Sequence, residues 1–488
     1  MGRVRFDALV FSRYAASCWI VAYHYYTPAG GGVYQWAGVD VSATQKHTAI
    51  RVFRFGTFLT QYFFILSGFV LAVARLSSSR PDDMKPTWQY VAERLTTTYP
   101  AYLLSLVLML FNLAGSDSFT YAAWQDWVNY GMHLTLTQAW WPNMICAAAG
   151  KQDGRVGGKF YAMAVHWNVP AWFMSALAFY WILFKPMYRV LRRLPRRTLL
   201  PAAVGLWASS GAAGVDMWLR DLSLVDAPHD FYRYNPLMYV HVFAFGMVLA
   251  RIYLEYGFSS SDTKTGGTKD ALEAVDLGLF PVPVVLHWVV AHGATIGYII
   301  YIAIALNCTV EGISGMKTYD DKHAGGRFYF LHNGGLAPLN ALIIFGLCSE
   351  TDRVAMVFKN AWFQWVGAIS YAQYILQAVV FHLVRAAYEA AAGKDAYYVS
   401  TGWAPFGSGY GAYQTAPYGV WLFQVVLPTT LFTSAFLVHY YISVPVGAHL
   451  RKQLDAWASA SRLVTKQEPT YGALERAAVS GGKAPSMV

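Results

Sequence analysis

The chain has 488 residues, of which 56% are hydrophobic, 17% aromatic and only 13% charged, with 37 Lys and Arg against 27 Asp and Glu for a formal net charge of +10. An ordinary soluble protein carries roughly 25% charged and about 45–50% apolar residues, so a soluble globule and a disordered chain are both excluded. In a soluble protein the basic excess would point to nucleic acid; here it collects in short loops between apolar runs and marks topology, so no nucleic-acid partner is expected. Long uncharged runs recur at 58–74, 102–115 and 279–306, and a membrane helix needs only about 20 mostly apolar residues. The expected fold class is all-α: a polytopic transmembrane helical bundle, hence an integral, multi-pass membrane protein surrounded by lipid.

About ten spans are expected, near 7–27, 56–75, 92–114, 169–190, 199–219, 236–254, 279–306, 327–348, 361–386 and 418–443. Arg75, Arg80 and Lys85 follow the second span, and Lys185, Arg189, Arg192, Arg193, Arg196 and Arg197 follow the fourth. The positive-inside bias makes both loops cytosolic, which places both termini in the cytosol and the segments 115–165 and 220–235 on the outer or lumenal side. Arg13 interrupts the first apolar run, so that run reads as an uncleaved anchor and not a signal peptide. Residues 257–275 form a polar cytosolic linker dividing six spans from four, and 451–488 a polar cytosolic tail, leaving 1–450 as the transmembrane domain. No internal repeat or inverted symmetry of the transporter kind is visible in the sequence.

Charged groups inside a span cost several kcal/mol unless they face a polar cavity or a partner. Arg13 and His24 lie eleven residues apart in the first span, about 1100° of helical turn and about 16 Å of rise, so both point along one stripe with Ser17. An imidazole can accept a hydroxyl proton at neutral pH, and a guanidinium matches phosphate with a forked donor set. A base and an anion anchor result; the plainer alternative is that Arg13 snorkels to one interface while His24 hydrogen-bonds at the other. In the second span, Ser67 and Gly68 permit a close approach by another helix or a ligand. Thr60 lies seven residues before Ser67, next to Gln61, and so adds to an inward polar stripe. His241, His287, His292, His382 and His439 read as satisfied hydrogen-bonding residues. With no His-Glu-x-x-His pattern and four cysteines (18, 146, 308 and 348) that lack close pairing, no metal is expected. Asp7 and Arg5 are placed at the headgroups, with Glu93 and Arg94 readable as a simple interface pair.

Six ordered stretches resemble the integral-membrane acyltransferases called acyltransferase type 3. They are Arg13 with His24 at the family spacing; Phe63-Phe64-Ile65-Leu66-Ser67-Gly68-Phe69; Arg94 with Tyr99-Pro100; Asn168-Val169-Pro170-Ala171-Trp172-Phe173-Met174-Ser175; Tyr234-Asn235-Pro236 with Phe243, Phe245 and Gly246; and Gly367-Ala368-Ile369-Ser370-Tyr371-Ala372-Gln373-Tyr374-Ile375-Leu376. The resemblance covers most of the chain. It implies an O-acyltransferase, O-acetylation being the expected chemistry, that moves an acyl group from cytosolic acyl-CoA (acetyl-CoA the expected donor substrate) to a hydroxyl, expected on a carbohydrate, at the outer or lumenal side. No bound cofactor is expected. His24 is then the catalytic base or a transiently acylated nucleophile. Arg13 and Arg94 bind acyl-CoA, and Ser67, Tyr99, Asn168 and Ser175 are candidates for the pocket and for stabilising the oxyanion.

Three positions depart from the family pattern: Leu177 where a Glu is usual, Gln377 where a His commonly follows, and Thr97 where a second Arg often precedes Tyr-Pro. A carboxylate could orient a catalytic histidine or stabilise its charged form, so its loss favours an alternative, a catalytically inactive structural subunit of a larger membrane complex. Such a subunit would have its pocket blocked by aromatic side chains. A transporter is the third class. The topology puts Cys146 and Cys308 on the outer face, compatible with a disulfide in an oxidising lumen. Asn307-Cys308-Thr309 is a glycosylation sequon, but it abuts a span and is not expected to be used.

Overall fold

The computed structural model describes residues 7–26, 52–53, 55–78, 81, 83–113, 124–141, 155–156, 159–160, 167–220, 229–256, 284–307, 327–392 and 425–467. The expected Cys146–Cys308 pairing, the side chain of His287 and the linker at 257–275 lie outside them. Helices are α1 (Asp7–Tyr26), α2 (Thr60–Leu76), α3 (Thr87–Leu113), α4 (Trp124–Leu134), α5 (Ala171–Arg193), α6 (Leu199–Ala208), α7 (Ala212–Leu219), α8 (His229–Tyr234) and α9 (Val240–Glu255). They continue as α10 (Val284–Ala291), α11 (Gly293–Asn307), α12 (Ala337–Cys348), α13 (Arg353–Phe358), α14 (Ala361–Ala368), α15 (Ser370–Ala392), α16 (Leu427–Val438) and α17 (Val444–Gln467). Among the described residues the sole strands are two residues each, Arg155–Val156 pairing antiparallel with Lys159–Phe160. The regular structure of the described residues is otherwise helical.

Five of the described helical segments are long and apolar enough to cross a membrane: Phe55–Leu76, Thr87–Phe111, Arg196–Leu219, Arg327–Cys348 and Leu427–Ala460. A sixth is gained if α14 and α15, bent by 49° at their junction, count as one span. The other segments expected as spans fall short for physical reasons. Arg13, Ser12, Ser17 and His24 dilute α1, Lys185, Pro186 and the Trp and Tyr side chains dilute the apolar part of α5, and α9 and α11 run only 16 and 15 residues. Large apolar side chains on the outer surface, among them Phe111, Leu200, Trp218, Ile299 and Tyr441, are exposed, as a hydrocarbon surrounding allows.

Small residues set a close helix contact. A Cβ on Gly68 of α2 would overlap the Phe243 carbonyl of α9, and a Cβ on Gly246 would overlap the Ile65 carbonyl, so the two glycines let the backbones touch reciprocally. Buried Phe64, Phe69, Tyr180 and Phe243 then pack around that seam. A buried carboxylate ties another junction: Asp352 caps α13 by accepting from Val354 N and Ala355 N, and it also accepts from Thr295 N and Oγ1 on α11.

One span is broken. Between Leu331 and Gly335 the helix opens into a wide turn, with Gly334 at φ +126°, a conformation open to glycine and strained for a side-chain-bearing residue. Freed backbone groups inside a membrane need partners. Gln61 Nε2 donates to Leu331 O at 2.7 Å while its Oε1 accepts from Leu336 N at 3.2 Å. Trp207 Nε1 donates to Gly335 O at 3.0 Å and His241 Nε2 to Asn333 O at 2.8 Å. Gln61 on the polar stripe of α2 thus serves the break, and the break carries His332 and Asn333 inward.

Candidate active site

The last turn of α1 presents His24 half-buried, beside buried Tyr23 and Tyr25. Its Nδ1 lies 2.9 Å from Gln377 Oε1 on α15. The Gln377 amide is oriented independently: its Nε2 donates to Tyr374 O at 2.8 Å, and a backbone carbonyl can only accept. Oε1 must therefore face His24, Nδ1 must carry the ring proton, and Nε2 is left as the basic nitrogen. Gln377 is fully buried, so this restraint is held against solvent. It fixes the tautomer as a buried carboxylate would, but brings no negative charge to an imidazolium.

His24 lines a cavity of about 20 Å³ together with Thr60, Trp172, Arg233, Tyr234, His332 and Tyr374. That volume admits about one water. None of the described residues that line it is acidic. Arg233, in α8, is buried; its guanidinium reaches Tyr23 Oη at 3.4 Å and lies over the Tyr234 and Phe328 rings at 5.7 and 6.0 Å. Tyr239 Oη donates to Arg233 O at 2.7 Å, so it accepts from His332 Nδ1, also at 2.7 Å. The Asn333 amide, fixed by Nδ2 donating to Tyr232 O at 3.2 Å, turns its Oδ1 toward the same Nδ1 at 3.3 Å. His332 is thereby the same tautomer as His24, with Nε2 basic. Thr60 is buried, and its hydroxyl has no hydrogen-bond partner among the described residues.

Of the residues singled out from sequence, His24 and Thr60 line this cavity, while the expected acyl-CoA and oxyanion groups lie elsewhere. Arg13 shares α1 with His24 but is exposed, next to Ser12, whose hydroxyl meets Tyr62 Oη at 2.6 Å. Arg94 is exposed above the Tyr90 ring at 5.2 Å, and Glu93 pairs with Lys85 rather than with its neighbour. Ser67 is half-buried on α2, two turns beyond Thr60. Tyr99 Oη is committed to Leu134 O at 2.8 Å, and Ser175 Oγ donates to Leu136 O at 2.7 Å while accepting from Ala139 N at 3.2 Å. Both brace a turn in which Leu136 adopts φ +58°. Asn168 Nδ2 donates to Ser105 Oγ and Ile375 O, each at 3.0 Å, holding α15 beside the start of α5. Leu177, where the family carries Glu, is buried in the apolar core.

Sequence reading passed over Arg233, His332 and the pairing of Gln377. Two signals were present: a guanidinium within the aromatic stretch Phe231-Tyr232-Arg233-Tyr234, and the turn-forming His332-Asn333-Gly334-Gly335 inside an apolar run. Cys18 and Cys348 are free thiols, and Cys18 Sγ accepts from Gln373 Nε2 at 3.1 Å. No group of three His, Cys, Asp or Glu side chains suited to a metal occurs among the described residues.

Residues 7–447 match the acyltransferase type 3 family, described as an acyltransferase domain, and the chain belongs to that family. The chain is similar to the acyltransferase MdmB of Streptomyces mycarofaciens, 26% identical over 163 residues. That stretch is 33% of this chain and 35% of the relative, so the match spans about a third of the relative's length. No solved structure matches the chain.

Proposed function

We propose that the chain is a membrane-bound O-acyltransferase that moves an acyl group from cytosolic acyl-CoA to a hydroxyl, on a carbohydrate, at the outer or lumenal side. The observation that carries this reading is the His24 tautomer, locked by Gln377 so that Nε2 is the basic nitrogen of a cavity-lining ring. His24 Nε2 takes the acceptor hydroxyl's proton as that oxygen attacks the thioester carbon; the C–S bond then breaks and the thiolate leaves with the proton. Base catalysis of this kind contributes about 10²–10⁴-fold. Arg13 and Arg94, both exposed and near the starts of their helices, are suited to the phosphates of the donor.

A second reading is favoured by one feature of the same cavity. Tyr23, Trp172, Tyr234 and Tyr374 close around His24 and leave room for about a single water, which is the aromatic blockage expected of an inactive subunit of a larger membrane complex. Acetyl-CoA binding and thiol release by the purified full chain separate the two, with His24→Ala and Arg13→Ala measured in the same detergent. The enzyme reading expects turnover by the wild type, donor binding without turnover in His24→Ala, and weakened binding in Arg13→Ala. A folded wild type that neither binds nor releases thiol overturns it, and fixed partners that co-purify then support the structural role.

A further inference from the structure

Acyl transfer from a thioester passes through a tetrahedral intermediate whose oxygen bears a full negative charge, and that charge needs donors already in place. Tyr99 and Ser175 spend their hydroxyls on backbone carbonyls, while Ser67 and Asn168 lie outside the cavity wall. Two other groups share that wall with His24. Arg233 is a buried guanidinium, anchored through Tyr23 Oη on the residue next to His24 and through Tyr239 Oη on its own carbonyl. Thr60, on the first turn of α2, has a hydroxyl with no hydrogen-bond partner among the described residues while the side chain is 92% buried by its 8% exposure. A buried hydroxyl without a partner calls for one, whether a water, an ion or a ligand, and this one belongs to a residue of the cavity wall.

We propose that Arg233 and Thr60 form the oxyanion site of this chain, a catalytic assignment that rests on the acyl-transfer reading. As His24 Nε2 takes the proton of the attacking hydroxyl, the new C–O bond forms and the carbonyl π electrons move onto oxygen. The Arg233 N–H and Thr60 O–H groups donate to that oxygen. On collapse the carbonyl re-forms, the C–S bond breaks, and the thiolate takes the proton back from His24, so charge and atoms balance. A fixed cation in a desolvated cavity is worth far more to the intermediate than to the neutral thioester, so the effect falls on turnover and not on donor binding.

The test follows thiol release by the full chain in detergent, with acetyl-CoA as probe and water as acceptor, since hydrolysis crosses the same intermediate. Arg233→Gln is expected to lower kcat by about 10²–10³-fold with KM for acetyl-CoA within about threefold, and Arg233→Lys to recover about tenfold of that loss. Thr60→Val is expected to lower kcat about tenfold while raising Tm, because valine removes an unsatisfied buried hydroxyl at constant shape. A structural threonine would show the opposite signature. The assignment is overturned if Arg233→Gln keeps kcat within about threefold of wild type, or if its loss is confined to KM, which would make Arg233 a binding group for a substrate anion. It is equally overturned by a Thr60→Val protein with lower Tm and unchanged kcat. Should Arg233→Gln fail to fold, Thr60→Val decides the question. Wild type silent alongside His24→Ala sinks the acyl-transfer reading itself, whereas failure of this assignment leaves wild-type turnover intact.

Discussion

The cavity beside His24 and the turn at residues 134–140 both concentrate buried polar groups, and they use them in opposite ways. At the turn the hydroxyls of Tyr99, Tyr102 and Ser175 meet the carbonyls of Leu134, His133 and Leu136, and Gln138 Nε2 meets Ala171 O at 3.1 Å. These bonds hold Leu136 in a left-handed conformation that costs about 1–3 kcal/mol for a residue with a side chain. In the cavity, Nδ1 of each histidine is satisfied by protein while Nε2 is left basic, and the Thr60 hydroxyl has no partner among the described residues. A buried hydroxyl spent on a backbone carbonyl serves architecture, whereas one left over on a cavity wall is open to a ligand.

The sharpest way to break that comparison is at His24. His24→Ala should lower thiol release from acetyl-CoA by about 10²–10⁴-fold. Tm should fall by a few degrees at most, because a half-buried ring and one side-chain hydrogen bond are lost and the buried Gln377 Oε1 is left without its donor. A Tm collapse with activity per folded molecule preserved would place His24 with the turn and not with the chemistry.

Gln377 refines the comparison, since its amide is fully bonded and yet belongs to the cavity. Gln377→Leu should free the imidazole to exchange tautomers and cost about 10–100-fold in turnover, the usual effect of losing a residue that orients a functional histidine. Thiol release measured at saturating acetyl-CoA checks this, and an unchanged kcat would show that the tautomer is set by something else. In the other cluster, Ser175→Ala strips a donor from Leu136 O and an acceptor from Ala139 N. It should destabilise by about 2 kcal/mol, read as a lower Tm in detergent, with kcat per folded molecule unchanged.

How much of this was legible before the chain folded follows from sequence separation. Helical geometry is rigid, so Arg13 and His24 could be set on one stripe of α1 from their spacing alone, and the helix does run unbroken from Asp7 to Tyr26. The helices themselves were legible from apolar runs; how many of them span was less so, because polar residues dilute α1 and α5 and α9 is only 16 residues long. The cavity walls come from Thr60, Arg233, His332 and Tyr374, four segments that no periodicity connects. Gln377 was visible as a departure, but its partner is 353 positions away and is found only when α15 packs on α1. Ser175 and Tyr99 carry hydroxyls that suit chemistry and turn-bracing equally well. Their partners are backbone carbonyls, whose positions sequence does not encode.

The smallest expected effect tests the architectural side of the comparison at its edge. Tyr99 belongs to the Arg94…Tyr99-Pro100 stretch through which the family resemblance enters α3, yet its hydroxyl reaches only Leu134 O and its ring is half-buried, 5.8 Å from Tyr102. Tyr99→Phe keeps the ring and removes one hydrogen bond to a carbonyl that neighbouring donors do not replace. The cost should be about 1 kcal/mol of stability, a Tm shift of a few degrees at most, with no change in thiol release. If Tyr99→Phe instead cuts kcat while Tm holds, the hydroxyl must leave Leu134 during turnover. The turn at 134–140 would then be a moving part of the site rather than its brace, and Ser175→Ala should begin to affect kcat as well.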